Sequence, residues 1–154
     1  MAARVLYLLY HSIKLIMQKN KLYIVDDNEA VCQSLKFLFD SFLLTEVKTY
    51  SNPVAFLAEL AAEWRGCLLV DFFMPYIDGI ELIGEIKKSN SHLQIFMMSG
   101  HGGTNVACQA LAAGANAFFN KPFNTQELLQ KIATVMEMDQ SLPGYRIEVG
   151  IQSS

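Results

Sequence analysis

Residues 68–79, LLVDFFMPYIDG, carry the strongest structural signal in the sequence. An apolar run ends there in a carboxylate, and Pro75 and the pair Asp78-Gly79 follow where the chain must turn. A short apolar run closed by turn residues predicts a strand that is buried on both faces, as in a parallel sheet covered by helices. Asp71 is therefore expected at the carboxyl end of a strand, where open α/β sheets place their ligands.

The same alternation of apolar runs and helical patterns extends in both directions. Strands are predicted at 22–25, 46–50, 67–70, 93–98 and 115–119. Helices are predicted from Val31 to Phe42, from Pro53 to a stop at Gly66, from Ile80 to about Lys88, over 104–113 with Gly114 as the stop, and from a capping box at Asn124 and Glu127 through Val135. Five strands that alternate with five helices indicate a parallel sheet with right-handed crossovers and helices on both faces.

Composition excludes several classes of protein. A chain of 154 residues with 52% hydrophobic and 18% charged residues is typical of one domain with a well-covered core. Its net charge of −3 argues against direct nucleic-acid binding. The three cysteines and three histidines are widely spaced, which excludes a Cys/His metal site and favours reduced thiols in a cytoplasmic protein.

The two ends of the chain differ from its centre. Residues 1–18 are predicted to be an extension, because their apolar run at 5–10 is too short to span a bilayer. Two interpretations stay open: the extension is not native and Met17 is the true start, which we favour, or it is a helix that docks on a partner or membrane surface. In the second case one face would carry Val5, Leu8, Leu9, Ile13 and Ile16.

The domain itself is predicted to span residues 19–138, followed by a short tail at 139–154. That tail is too short for a helix-turn-helix output domain, although 145–151 alternates like a strand.

Five polar residues follow the ends of different predicted strands. They are Asp26, Asp27, Asp71, Ser99 and Lys121. Parallel topology brings all strand ends to one edge, where three carboxylates would repel one another. A hard divalent cation such as Mg²⁺ removes that repulsion, while a lysine and a hydroxyl suit an anion. Together these groups indicate a phosphoryl-transfer site.

Over residues 21–137 the chain resembles the receiver domains of bacterial response regulators. The resemblance rests on Asp26-Asp27, Asp71-x-x-Met74-Pro75-x-x-Asp78-Gly79, Ser99-Gly100, Ala113-Gly114-Ala115 and Phe118-x-x-Lys121-Pro122. The loop Ser99-Gly100-His101-Gly102 is similar to that of the nitrogen-fixation type of regulator. The resemblance implies a doubly wound (βα)5 flavodoxin-like domain, also called CheY-like, with the strand order 2-1-3-4-5.

The resemblance also implies a role for each acidic residue. Asp71 would accept a phosphoryl group from a sensor histidine kinase, a histidine phosphotransfer protein or a small phosphodonor. Asp27 and Asp71 would hold Mg²⁺ with the main-chain carbonyl of Phe73, and Asp26 would act largely through water.

Further roles follow for the remaining residues. Lys121 and Ser99 would contact phosphoryl oxygens, and Phe118 would be an aromatic switch. The output surface would be the fourth helix, the fifth strand and the fifth helix of the domain, where an effector protein or a second copy binds. No enzymatic activity is implied beyond intrinsic autophosphorylation and autodephosphorylation.

Phe73 and His101 depart from the usual family pattern. Both occupy positions that, in the family, tune dephosphorylation by positioning water. A bulky apolar Phe73 cannot orient an attacking water by hydrogen bonding and would shield the acyl phosphate. This departure predicts a long-lived phosphorylated state.

Several alternatives compete with a stand-alone receiver. The chain would also fit the truncated receiver half of a DNA-binding transcriptional regulator, or a receiver-like interaction module that is never phosphorylated. Retention of all five site residues disfavours the module. A haloacid-dehalogenase-type phosphatase requires Asp-x-Asp, which Phe73 interrupts. A dinucleotide site is disfavoured because Gly100-x-Gly102 lacks the third glycine and does not follow the first strand.

Overall fold

The computed structural model of this chain describes residues 1–17, 20–43, 45–89, 91–101 and 103–138, without the side chains of 13–17 and 137–138. The elements are α1 (Ala2–Met17), β1 (Asn20–Val25), α2 (Glu29–Phe42), β2 (Val47–Tyr50), α3 (Pro53–Glu59), β3 (Arg65–Asp71), α4 (Gly79–Lys88), β4 (His92–Ser99), α5 (Thr104–Ala113), β5 (Ala117–Asn120) and α6 (Thr125–Met138). The predicted strand at 145–151 and the predicted side-chain positions of Ile13 and Ile16 lie outside the described residues.

The five strands form one parallel sheet in the order β2-β1-β3-β4-β5. This is the predicted fold class and strand order. Chain order reverses between β1 and β3, and in such sheets the crevice outside the carboxyl ends at this point is where ligands bind. Asp71 is the last residue of β3 and is in register with Met98 of β4.

Alternate strand residues point to opposite faces of the sheet, and both faces are covered by helices. One core joins Ile24 and Leu69 of the sheet to Phe39 of α2 and Ile132 of α6. The core on the other face joins strand residues to α3, α4 and α5; its members include Val25, Val70, Met97, Phe56, Leu82, Ile83 and Ala110. Burial on both faces explains why the strands appear in the sequence as continuous apolar runs.

The predicted second helix was wrong at its end. The chain leaves α3 at Leu60, whose φ of −56° and ψ of 128° are not helical, so Gly66 does not stop that helix. Gly66 instead lies in β3 with φ of +111°, and a Cβ there would approach the carbonyl oxygen of Lys21 to 2.2 Å. The glycine is therefore required by the close approach of β1 and β3.

Every strand also differs by one or two residues at one or both ends from its predicted bounds. β3 begins at Arg65 and includes Asp71, and β2 begins at Val47. β5 begins at Ala117 because the N–H of Ala115 still donates to the carbonyl of Ala110 and closes the end of α5. Gly114 adopts the left-handed conformation predicted for the stop of that helix.

Side chains cap the helices that begin near the site. Asn124 accepts hydrogen bonds from the N–H groups of Gln126 and Glu127, which makes it the N-cap of α6. The complete reciprocal capping box lies at α4, where Asp78 and Glu81 each accept from the other's backbone N–H.

α1 forms a 16-residue helix, and all of residues 1–12 are exposed. Among the described residues, no helix combines the length and the apolar character needed to cross a membrane.

Candidate functional site

Four strand ends deliver polar side chains to the carboxyl edge of the sheet. Asp26 directly follows β1, Asp71 ends β3, Ser99 ends β4 and Lys121 directly follows β5. Main-chain hydrogen bonds hold these ends together, including one from the N–H of Lys121 to the carbonyl of Ser99 at 2.8 Å. The positions of the side chains are thus set by the ladder of the sheet.

Asp26, Asp27 and Asp71 form a cluster of carboxylates. Each contributes an oxygen, and these oxygens all lie within 4.8 Å of one another. Asp26 and Asp71 are buried, whereas Asp27 is exposed. Converging carboxylate oxygens with one side open to solvent are the donor set that Mg²⁺ takes while keeping several waters.

Lys121 bridges two of these carboxylates. Its Nζ donates to Asp26 Oδ2 and to Asp71 Oδ1, each at 2.9 Å. Both contacts are charge-assisted and lie where solvent screening is reduced. The ammonium therefore neutralises part of the negative charge in the cluster.

Burial and charge have opposing effects on the pKa values of Asp71 and Lys121. Burial raises the pKa of Asp71; the hydrogen bond from Lys121 acts against this, and the nearby charge of Asp26 adds to it. Burial alone would lower the pKa of Lys121, but its hydrogen bonds to Asp26 and Asp71 outweigh that effect and raise it. Lys121 thus stays protonated at neutral pH, while ionisation of Asp71 is disfavoured relative to a solvated aspartate.

The turn after β1 holds Asp26 in place. The N–H of Asn28 donates to Asp26 Oδ1 at 2.9 Å, and the Asn28 side chain caps α2 by accepting from Ala30 and Val31. From below, Cys32 Sγ donates to the carbonyl of Asp26 at 3.3 Å. Sequence reasoning missed Asn28 and Cys32; an Asn before an acidic first helical turn is a capping signal that identifies the first of them.

The loop between β3 and α4 folds back closely on Asp71. The N–H of Gly79 donates to the carbonyl of Phe72 at 2.8 Å. A Cβ at position 79 would lie 2.8 Å from the carbonyl oxygen of Asp71. Gly79 therefore lets the first turn of α4 pack against the end of the strand that carries Asp71.

Ser99 is fully buried, and its Oγ accepts a hydrogen bond from the N–H of His101 at 3.2 Å. In this arrangement the hydroxyl fixes the turn after β4. Phe118, in register with Met97, is half-buried and packs against the core face beneath α4 and α5.

Phe73 and His101 meet beside the carboxylate cluster. Their rings contact edge to face, with centroids 6.1 Å apart and planes at 86°. Phe73 also contacts Phe72, with centroids 4.7 Å apart, yet 51% of its surface is exposed. An aromatic pair thus joins the β3–α4 loop to the turn after β4.

Comparisons with known proteins find similarity in both sequence and fold. The family model for the response regulator receiver domain matches residues 22–133. The chain is 36% identical over 121 residues to the response regulator protein TmoT of Ectopseudomonas mendocina, covering 79% of this chain and 54% of TmoT. It is 36% identical over 118 residues to the transcriptional regulatory protein FixJ of Bradyrhizobium diazoefficiens, covering 77% of this chain and 57% of FixJ.

A crystal structure of FixJ-N superposes with a TM-score of 0.71 at 33% identity, covering 82% of this chain and all of that one. The chain spans about half the length of the curated relatives it matches.

Proposed function

The chain belongs to the response regulator receiver domain family, and from that premise we propose that it accepts a phosphoryl group on Asp71. The observation that carries the proposal is the contact of the Lys121 ammonium with both Asp26 and Asp71 at the carboxyl edge of the sheet. The Lys121 ammonium offsets part of the negative charge of the three carboxylates, and a bound divalent cation would offset more of it, so that a phosphoryl group could approach Asp71. The donor is a sensor histidine kinase, a histidine phosphotransfer protein or a small phosphodonor.

The transfer step is a displacement at phosphorus. A carboxylate oxygen of Asp71 forms the new P–O bond while the P–N bond of a phosphohistidine breaks. The electron pair leaves with the imidazole nitrogen, which takes up a proton. The product is an acyl phosphate on Asp71, and Lys121 exchanges a carboxylate contact for a phosphoryl oxygen.

The carboxylates suit a divalent cation. Asp27 and Asp71 would hold Mg²⁺ with the main-chain carbonyl of Phe73, and Asp26 would act largely through an intervening water. When bound, the ion supplies positive charge for the phosphoryl oxygens.

Phosphorylation would change the turn after β4. Ser99 Oγ accepts from the N–H of His101, and its own hydroxyl hydrogen can be donated to a phosphoryl oxygen. Donation of the hydroxyl to the phosphoryl group draws this turn inward, and Phe118 follows into the space beneath it. The added charge of nearly −2 thereby alters the surface of α5, β5 and α6, where an effector protein or a second copy binds.

The relatives favour a second version of the same function. FixJ is named a transcriptional regulatory protein, and this chain covers 57% of it. The receiver would then control a DNA-binding half that is separate from residues 22–133. In either version the domain acts in the cytoplasm as a signalling module, with no activity beyond its own phosphorylation and dephosphorylation.

Intact mass spectrometry tests the proposal. The wild type, incubated with acetyl phosphate and Mg²⁺, is expected to gain one phosphoryl group, whereas Asp71→Asn gains none. A chelator added before the phosphodonor should abolish the gain. Equal phosphorylation of the Asn variant would contradict the assignment of Asp71, and failure with both acetyl phosphate and a phosphohistidine donor would favour the unphosphorylated interaction module.

A further inference from the structure

The helix α1 carries large apolar side chains that the described part of the protein leaves in solvent. The exposed set is Val5, Leu6, Leu8, Leu9 and Tyr10, each at least 43% exposed. A helix that packs on its own domain buries its apolar stripe. A contiguous exposed apolar surface of this kind marks an interaction site.

The side chains of α1 separate into two faces. At 3.6 residues per turn, Val5, Leu6 and Leu9 lie on one side, and Arg4 and His11 lie on the opposite side. Tyr7 lies on that polar side too, with its ring centroid 4.0 Å from that of His11. The helix is therefore amphipathic, and its apolar side, carried by Val5, Leu6 and Leu9, is exposed to solvent.

Charge is distributed unevenly along the chain. α1 contains two basic residues, Arg4 and Lys14, and no acidic residue, whereas the remaining chain contains ten basic and fifteen acidic residues. Basic residues and tyrosines around an apolar stripe are typical of helices that lie in the plane of a membrane surface.

A second copy of the chain fits these features less well than a bilayer does. Outside α1, the exposed large apolar side chains of the described residues are scattered over α2, α3, the β3–α4 loop and α5; they are Phe37, Phe42, Val54, Phe73, Tyr76 and Leu111. Scattered side chains do not form a groove that would accept a helix with three apolar residues on one side.

Although the sequence alone favours a non-native extension, the exposed amphipathic helix supports the other interpretation, and we propose that α1 binds the surface of a lipid bilayer with anionic headgroups. Val5, Leu6 and Leu9 enter the acyl boundary, and Arg4 stays among the headgroups. The helix lies along the surface without crossing it, and it brings the receiver domain to the membrane without involving the site at Asp71.

Vesicle sedimentation of the full chain tests this proposal. We expect sedimentation with vesicles of phosphatidylcholine containing one third phosphatidylglycerol, little with phosphatidylcholine alone, and a decrease as salt is added. The double substitution Leu6→Gln and Leu9→Gln removes two exposed leucines that would enter the bilayer, and it should weaken partitioning at least about ten-fold. Arg4→Gln should weaken it about five-fold. Glutamine keeps helix propensity high, so the helix itself is retained.

The matched control is Phe37→Gln, which removes an apolar side chain of 78% exposure from α2, and it should bind as the wild type does. Circular dichroism checks that every variant is folded. Equal binding to both kinds of vesicle, or to neither, would overturn the proposal. Self-association that the double glutamine variant abolishes, without vesicle binding, would assign the helix to a second copy instead.

Discussion

Asp71 is a carboxylate whose ionisation the folded protein disfavours. Burial is the largest contribution to its raised pKa, and Lys121 offsets only part of it. Because the pKa of Asp71 is higher in the folded protein than in the unfolded chain, the folded protein keeps the proton on this carboxyl group to a higher pH. The free energy of unfolding therefore falls as pH rises from the unfolded pKa to the folded pKa. Above the folded pKa, the full cost of ionising the buried Asp71 side chain lowers the stability of the folded protein.

The variant Asp71→Asn is accordingly expected to be more stable than the wild type at pH 7 in metal-free buffer. We expect a gain on the order of 1 kcal/mol in the free energy of unfolding, a usual size for a single substitution. The gain should disappear below about pH 4, where an unfolded aspartate is protonated. Denaturant unfolding of the two proteins at pH 7 and below about pH 4 measures this difference. Saturating Mg²⁺ should make the wild type the more stable protein, because the ion binds the wild-type carboxylates. A less stable Asn variant at pH 7 without metal would contradict this account.

Lys121 and a bound cation compete for the same carboxylates. Lys121→Met removes an ammonium that contacts Asp26 and Asp71, and Mg²⁺ should therefore bind several-fold more tightly, on the order of 1 kcal/mol for one partly screened charge. Calorimetric titration measures the affinity. Lys131→Met is the control, since Lys131 lies over the ring of Phe119 at 5.6 Å and should leave Mg²⁺ binding unchanged. Weaker binding by the Lys121 variant would show that the lysine supports the metal site.

Phe73 is predicted to shield an acyl phosphate on Asp71 from water. Phe73→Asn replaces an aromatic ring that contacts His101 with an amide that can orient a water by hydrogen bonding. The phosphorylated state should then lose its phosphoryl group roughly ten-fold faster. This effect is smaller than the acceleration of about 10²-fold or more that a side chain acting as a general acid or base supplies. Intact mass followed over time after removal of the phosphodonor measures the decay. Phe73→Leu, which stays apolar, should decay like the wild type, and equal decay of wild type and Asn variant would refute the shielding role.

At the scale of residues, strand ends could be predicted and side-chain contacts could not. Asp26, Asp71, Ser99 and Lys121 all follow apolar runs, so topology alone assigns them to one edge. The bridging contact of Lys121 and the bond between Ser99 and His101 depend on rotamers that no sequence pattern specifies.

Among the elements, the pairing of β1 with β3 depends on Gly66. Gly66→Ala would place a Cβ 2.2 Å from the carbonyl oxygen of Lys21, at a φ of +111° that side chains rarely adopt. Both effects act on backbone that cannot easily move. We therefore expect a loss of at least about 3 kcal/mol in the free energy of unfolding, or no folded protein.

The control for that variant is Gly84→Ala. Gly84 lies within α4, and a Cβ there would meet no atom within 4 Å. The substitution should raise the free energy of unfolding by roughly 0.5–1 kcal/mol through helix propensity. Thermal or denaturant unfolding measures the stabilities of the Gly66→Ala and Gly84→Ala variants. Similar effects of the two substitutions would contradict the close approach of β1 and β3.

Element types could be predicted well because helices and strands differ in apolar periodicity. Ends were less predictable. Gly66 looks like a helix stop in the sequence, yet its role is set by Lys21 on the neighbouring strand. Likewise Ala115 continues an apolar run but completes the turn that ends α5. In both cases the boundary is set by a contact with a residue of another element, Lys21 of β1 or Ala110 of α5, and the apolar pattern around the position does not reveal that contact.

For the molecule as a whole, the doubly wound fold followed from five strands alternating with helices, and the structure has the predicted order β2-β1-β3-β4-β5. Division of the chain at residues 18 and 138 stays a prediction. Helix α1 showed its amphipathic pattern in the sequence, whereas the exposure of its apolar side became evident only in the folded chain.

We propose that Asp71, and no neighbouring carboxylate, accepts the phosphoryl group. Borohydride tests this chemically, because it reduces an aspartyl phosphate to homoserine, which peptide mass spectrometry then locates after phosphorylation with Mg²⁺ and acetyl phosphate. We expect homoserine at position 71 alone. Homoserine at Asp26 or Asp27, or a phosphoryl group that borohydride does not remove, would contradict it.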